Sequence, residues 1–187
     1  MNKILTSKFF TMKKITLLLS IMALSAVFSS SVLAQQTASA TSSASTTIVA
    51  PIAISKTTSM TFGSFATGTA GTLVMSPQAV RTSTGGVKLT AATGSPTAAA
   101  FTVTGEGSYG YTVTLPSSLT LTTATTGTGT IKTMVVDTFT SSLASGIGAL
   151  ASGTQNFTVG ATLNVGIDQA IGLYENTTGF TVTVNYN

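Results

Sequence analysis

The sequence of 187 residues contains no cysteine, histidine or tryptophan, and only 6% of its residues are charged. Without cysteine the chain forms no disulfide and offers no thiolate nucleophile. Without histidine it lacks the side chain that most often serves acid–base catalysis near neutral pH and transition-metal binding. These absences exclude thiol catalysis and Ser-His-Asp triads, so we expect a protein that is not an enzyme and has no cofactor.

After residue 34 the chain has four carboxylates: Glu106, Asp137, Asp168 and Glu175. A glycosidase needs two carboxylates that flank one bond, and a calcium site needs several oxygen ligands close together. Glu106 lies between two glycines and Glu175 precedes an asparagine, a pattern typical of solvated charges in turns. The sequence therefore predicts neither a catalytic residue nor a metal ligand.

The first 34 residues have the three regions of a secretory signal peptide. Lysines precede an apolar run over residues 15–28, and the small-residue step Val32-Leu33-Ala34 follows it. A helix needs about 20 apolar residues to span a bilayer, so the run is too short for a retained membrane span. We expect cleavage after Ala34 and export of residues 35–187 to the periplasm, the cell surface or the medium.

The predicted exported chain has no net charge. It carries four basic side chains opposite the four carboxylates: Lys56, Arg81, Lys88 and Lys132. Nucleic acid is excluded as a partner because its binding requires a patch of Lys and Arg. A net charge near zero also removes the repulsion between copies. Self-association, or association with envelope assembly proteins, is therefore the expected kind of partnership.

Threonine, serine, alanine, glycine and valine dominate the exported chain, and apolar residues alternate with polar ones along several segments. Phe157, Val159, Ala161, Leu163 and Val165 form one apolar face, which predicts a strand buried on one side. The same alternation predicts a terminal strand with Phe180, Val182, Val184 and Tyr186 on one face. Other predicted strands span 48–56, 60–65, 72–76, 86–90, 101–104, 111–115, 119–122 and 131–140. We interpret 141–153 as a loop with a short helical turn.

Residues 35–47 form a low-complexity extension before a single all-β domain over 48–187. One interpretation is a flexible solvated tail. The other is a strand offered to an apolar groove, because every second residue from Ala38 to Ile54 is small or apolar. In that interpretation Ile48, Ile52 and Ile54 are the strand-addition residues.

The motifs MTFGSF at 60–65, FTVGATLNVG at 157–166 and GFTVTVNYN at 179–187 resemble the bacterial family catalogued as domain of unknown function 4402. The resemblance covers residues 45–187 and implies a secreted all-β domain. A second similarity is to pilin subunits of the chaperone-usher type, including spore-coat-U-like archaic ones, through Phe62-Gly63, Gly172-x-Tyr174 and Tyr186. It implies an immunoglobulin-like fold that lacks one strand, which the next subunit supplies. Together these features predict an antiparallel immunoglobulin-like or pilin-like sandwich of about 8–10 short strands.

Three functions remain open from the sequence. The first is a non-catalytic structural or adhesive surface protein, a fibre or pilus-like subunit assembled by strand addition. The alternative is a self-contained binding module whose loops at 105–110 and 141–153 recognise a glycan or a surface protein. The third is an outer-membrane barrel, which six Phe and four Tyr after residue 34 disfavour, since such barrels carry two aromatic girdles.

Overall fold

The computed structural model describes residues 37–124 and 128–187, in which every strand pairing is antiparallel apart from one parallel bridge. The all-β antiparallel prediction is confirmed. The described residues contain one 3-10 turn, Ala144–Gly146, and twelve strands: β1 Ala53–Thr58, β2 Phe65–Ala66, β3 Gly71–Met75, β4 Arg81–Gly85, β5 Lys88–Leu89, β6 Ala99–Thr104, β7 Gly110–Thr114, β8 Ser118–Thr122, β9 Thr133–Ser141, β10 Ile147–Ala149, β11 Thr154–Val165 and β12 Thr183–Tyr186. The number exceeds the predicted one because β2, β5 and β10 have only two or three residues each.

The seven-stranded sheet is organised around β11, which is twelve residues long. One edge of β11 pairs with β6 through Thr154–Val159 and then with β3 through Ala161–Val165. The other edge pairs with β9, which in turn pairs with β8. The outer strands β1 and β4 pair with β6 and β3. A single long strand therefore holds three neighbours in register.

A second sheet of three strands, in the order β10-β7-β12, covers only part of the first. The core between the two sheets contains Phe101, Tyr111, Phe157, Val159 and Val184. A second core cluster lies under the other half of β11 and includes Leu73, Val87, Met134, Val136 and Leu163. The predicted apolar face of β11 is confirmed, because all five of its residues between Phe157 and Val165 are buried.

The segment 60–65 was predicted as a strand, but only Phe65 belongs to one. Gly63 has a φ of +73°, which breaks the extended conformation. The guanidinium of Arg81 also donates hydrogen bonds of 3.0 Å to the carbonyl oxygens of Phe62 and Ser64. These two carbonyls are the groups that a neighbouring strand would otherwise bind.

Two further predicted strands are shorter than expected. In the segment 48–56 the strand begins only at Ala53, after Pro51, which has no N–H to donate to a ladder. The last strand begins at Thr183, so Phe180 and Val182 precede it, although both pack in the first core cluster.

The strand β4 was not predicted, because its sequence RTSTG has no apolar residue. It forms as a partner of β3, with the Thr72 and Thr84 hydroxyls 2.7 Å apart.

Candidate functional site

A groove of about 1100 Å³ lies between the inner face of the seven-stranded sheet and two irregular segments, 59–67 and 169–180. We call these two segments the covers. The floor of the groove is apolar and is built from β6, β8, β9 and β11. It consists of Phe101, Leu119, Leu121, Met134, Val136 and Leu163. The covers add further apolar side chains: Met60, Phe62, Phe65, Tyr174 and Phe180. The groove is therefore lined mainly by groups that water solvates poorly.

The groove exists because the second sheet is small. Its strands β10 and β12 have three and four residues, whereas β11 has twelve. The floor residues that the small sheet leaves uncovered are instead met by the covers, which form no continuous ladder with each other in the described part of the chain. Irregular segments pack less regularly than a strand, so space remains beneath them.

One edge of β12 is available for pairing beside this groove. Within the described residues β12 pairs with β7 alone, so its second edge carries no strand. Phe180, three residues before β12 begins, lines the groove, whereas no residue of β12 itself does. The Phe180 ring lies 4.9 Å from the ring of Phe139 and 6.3 Å from that of Phe101. An open strand edge next to apolar space is the arrangement that accepts an added strand.

The second cover, 169–180, is attached to the large sheet by polar contacts. The buried Gln169 side-chain amide donates hydrogen bonds of 2.9 Å to the carbonyl oxygens of Ile131 and Thr133. The Tyr174 hydroxyl lies 2.9 Å from the carbonyl oxygen of Ile131. The Asn176 amide donates to the carbonyl of Thr120. Polar contacts therefore hold this cover in place, and Gln169, Tyr174 and Asn176, which make them, also line the groove.

Residues 37–46 are exposed and have no secondary structure. Of the three isoleucines assigned to strand addition, Ile48 is 93% exposed. Ile52 is half-buried and packs against the first core cluster, and Ile54 lies in β1 opposite Val103. Two of the three therefore pack within the folded domain, whereas Ile48 is almost fully exposed.

The four residues predicted for the terminal strand are only partly brought together. Val184 and Tyr186 lie in β12, opposite Val113 and Tyr111 of β7. Phe180 and Val182 lie before the strand and contribute to the same core cluster.

The groove was not predicted from the sequence. The aromatic and methionine side chains in segments that form no long strand were the feature of the sequence that could have indicated it.

Three of the four carboxylates accept hydrogen bonds from other parts of the chain. Asp137 Oδ2 accepts a 2.9 Å hydrogen bond from Asn164, and Asp168 accepts one of 2.7 Å from Thr130. Glu106 accepts one from the backbone of Ala50. In the described residues no three Asp or Glu side chains are grouped to hold a metal ion, and no helix is long and apolar enough to cross a membrane.

Comparison with known proteins gives one match. The family model described as "Domain of unknown function (DUF4402)" matches residues 52–186. No curated protein and no solved structure matches the chain.

Proposed function

The chain belongs to the DUF4402 family, whose description assigns no activity, and from the geometry of the groove we propose that it is a non-catalytic structural subunit that assembles by strand addition. In this proposal residues 1–34 direct export, and the exported subunits build a fibre or coat at the cell surface. Two observations support the proposal: the edge of β12 that carries no strand within the described residues, and an apolar groove of about 1100 Å³ that reaches Phe180, just before this strand.

The donated strand in this proposal is residues 37–49. The sequence indicated a longer donor, to Ile54, but Ile52 and Ile54 pack in the subunit's own core. Residues 37–48 are exposed, and small or apolar side chains recur at every second position there. The thirteen residues extend over about 43 Å at 3.3 Å per residue, which is more than a strand of ordinary length needs.

The energies of the individual contacts indicate how the donor would bind. Burial of Ile48 stabilises a complex by about 1.5–3 kcal/mol, whereas association costs at least about 4 kcal/mol. The other donor side chains are Ala, Ser and Thr, which bury little apolar area. Backbone hydrogen bonds contribute about 0.5–1.5 kcal/mol each, so several of them are needed. Binding must therefore involve pairing along β12 and not only insertion of one side chain.

The zero net charge of the exported chain supports association between copies. Four basic and four acidic side chains balance after residue 34, so copies approach without net repulsion. The absence of cysteine means that contacts between copies depend on packing and hydrogen bonding alone.

The test is size-exclusion chromatography with light scattering on residues 35–187, compared with the same protein without residues 35–49. We expect dissociation-resistant oligomers in the first and monomers in the second. Ile48→Asp should reduce assembly at least tenfold without changing the melting temperature, because the side chain is already exposed in the monomer. The matched control is Val80→Asp, at another exposed position outside the donor.

A protein that stays monomeric at all concentrations, with and without residues 35–49, would contradict strand addition. In that case the alternative of a self-contained binding module would be favoured. Its loops at 105–110 and 141–153 would then be tested for glycan binding on an array and for capture of envelope proteins.

A further inference from the structure

Both backbone polar groups of Ala50 are bound by side chains from distant parts of the chain. The Ala50 N–H donates a 3.0 Å hydrogen bond to Glu106 Oε2, and the Tyr186 hydroxyl donates a 2.9 Å hydrogen bond to the Ala50 carbonyl oxygen. The Tyr186 hydroxyl also accepts a 2.6 Å hydrogen bond from the Glu106 N–H. These three residues close a ring of hydrogen bonds, which we call the Ala50 clamp.

The clamp lies just before the first ladder pair of β1, which is Ala53 with Thr104. Glu106 is two residues beyond Thr104, so the clamp continues the attachment of the chain past the end of the ladder. Tyr186 belongs to β12 of the smaller sheet. The clamp therefore connects the start of β1 to both sheets at once.

The surrounding sequence fits this arrangement. Gly105 leaves room for the Tyr186 hydroxyl, which a Cβ at this position would contact at less than van der Waals distance. Pro51 has no N–H, so it supplies no hydrogen-bond donor to a ladder between the clamp and Ala53. The side chains of Glu106 and Tyr186 thus provide the hydrogen-bond partners that a neighbouring strand would ordinarily provide for the Ala50 backbone N–H and C=O.

We propose that the Ala50 clamp is the anchor that holds a subunit to its donated strand, an inference that rests on the proposed function. When residues 37–49 are bound in a second copy, any pull on them acts on the first residue of β1. Among the residues that the structure describes, this strand lies at the edge of the sheet and pairs only with β6, so it would separate from β6 one hydrogen bond at a time. The clamp must open before that separation begins. Glu106 and Tyr186 are therefore positioning residues that fix the boundary between body and donor at Val49 and Ala50.

Three variants test the clamp. Tyr186→Phe removes the hydroxyl and keeps the ring. Glu106→Ala removes the acceptor for the Ala50 N–H, whereas Glu106→Gln keeps an acceptor oxygen and should restore wild-type behaviour. The control is Tyr109→Phe, which removes a neighbouring hydroxyl whose ring lies 5.6 Å from that of Tyr186.

The measurements are hydrogen exchange at the amides of Ala50, Ile52, Ala53 and Ile54 in the assembled protein and the half-time of its dissociation in denaturant. For Tyr186→Phe and Glu106→Ala we expect exchange and dissociation about five- to tenfold faster, the effect of losing one or two net hydrogen bonds. Glu106→Gln and Tyr109→Phe should stay within about twofold of wild type.

Oligomers of Tyr186→Phe and Glu106→Ala that dissociate at the wild-type rate would overturn the anchor and leave strand addition intact. Wild-type protein that never assembles would overturn strand addition, and the anchor with it. Because Glu106 lies in a turn outside the core, its variants keep the test decisive if Tyr186→Phe folds poorly.

Discussion

Tyr111 shows how a single polar group is accommodated in this core. It is fully buried, and its hydroxyl donates a 2.7 Å hydrogen bond to Gln155 Oε1, which also accepts one from the Ala149 N–H. One residue thereby links β7, β10 and β11. Burial raises the pKa of Tyr111 above its ordinary value of 10.0, because the phenolate would lose its solvation.

This raised pKa predicts a loss of stability in alkali. Between the unfolded pKa near 10.0 and the higher folded pKa, the unfolded chain releases the Tyr111 proton while the folded chain keeps it, so stability falls as pH rises. The contribution is fully present below pH 10. Tyr111→Phe should remove this part of the slope, and it should cost about 1 kcal/mol at pH 7 through the lost hydrogen bond.

Urea unfolding of both proteins at pH 7 and at pH 10–11.5 measures the effect. A difference between wild type and Tyr111→Phe that stays constant over this range would contradict the assignment of the raised pKa to Tyr111.

At the scale of elements, β11 determines how the rest of the chain is arranged, because three strands pair with it. Gly160 lies where its edge changes partner from β6 to β3, and where the register with β9 shifts. A Cβ at Gly160 would collide with the carbonyl oxygen of Met75. Glycine is therefore required there by the close approach of another backbone.

Gly160→Ala should destabilise the protein by about 1–3 kcal/mol, since the contact is with backbone that has little freedom to move. For a domain of this size, that lowers the melting temperature by about 2–12 °C. The matched control is Gly68→Ala, because a Cβ at Gly68 meets nothing within 4 Å. Thermal unfolding followed by circular dichroism compares the two, and equal melting temperatures would show that β11 tolerates the side chain.

At the scale of the whole molecule, the proposed donor and acceptor are separate parts of one chain, so each can be disabled alone. Protein without residues 35–49 keeps its groove but has no donor. Leu121→Glu keeps the donor but places a charge in the groove, and burying that charge opposes occupation. Either protein alone should remain monomeric.

A mixture of these two proteins should form dimers and nothing larger, because only one donor and one groove remain. Light scattering of the mixture measures this. Thr120→Glu in place of Leu121→Glu is the control, since Thr120 is exposed on the other face of β8 and this protein should still polymerise. The contradicting result comes from proteins that all lack residues 35–49 and therefore have no donor. If such proteins form dimers equally well with Leu121 and with Leu121→Glu, the contact between copies lies elsewhere.

The sequence by itself determined the all-β class and the buried face of β11. Alternation with a period of two is a local property, and it persists because one face of a strand contacts the core and the other does not. It also indicated most strand positions to within a few residues. It failed at 60–65, where Arg81, some twenty residues away, binds the carbonyl groups of the segment.

Only the tertiary structure decided the groove, the free edge of β12 and the Ala50 clamp. The clamp joins Ala50 to residues 56 and 136 positions further along the chain, and no local pattern records such contacts. The groove depends on a mismatch between a twelve-residue strand and a small facing sheet, which exists only once both are packed. The periodicity of a sequence shows which side of a strand is apolar. The volume that stays empty above that side depends on which other segments of the chain pack against it.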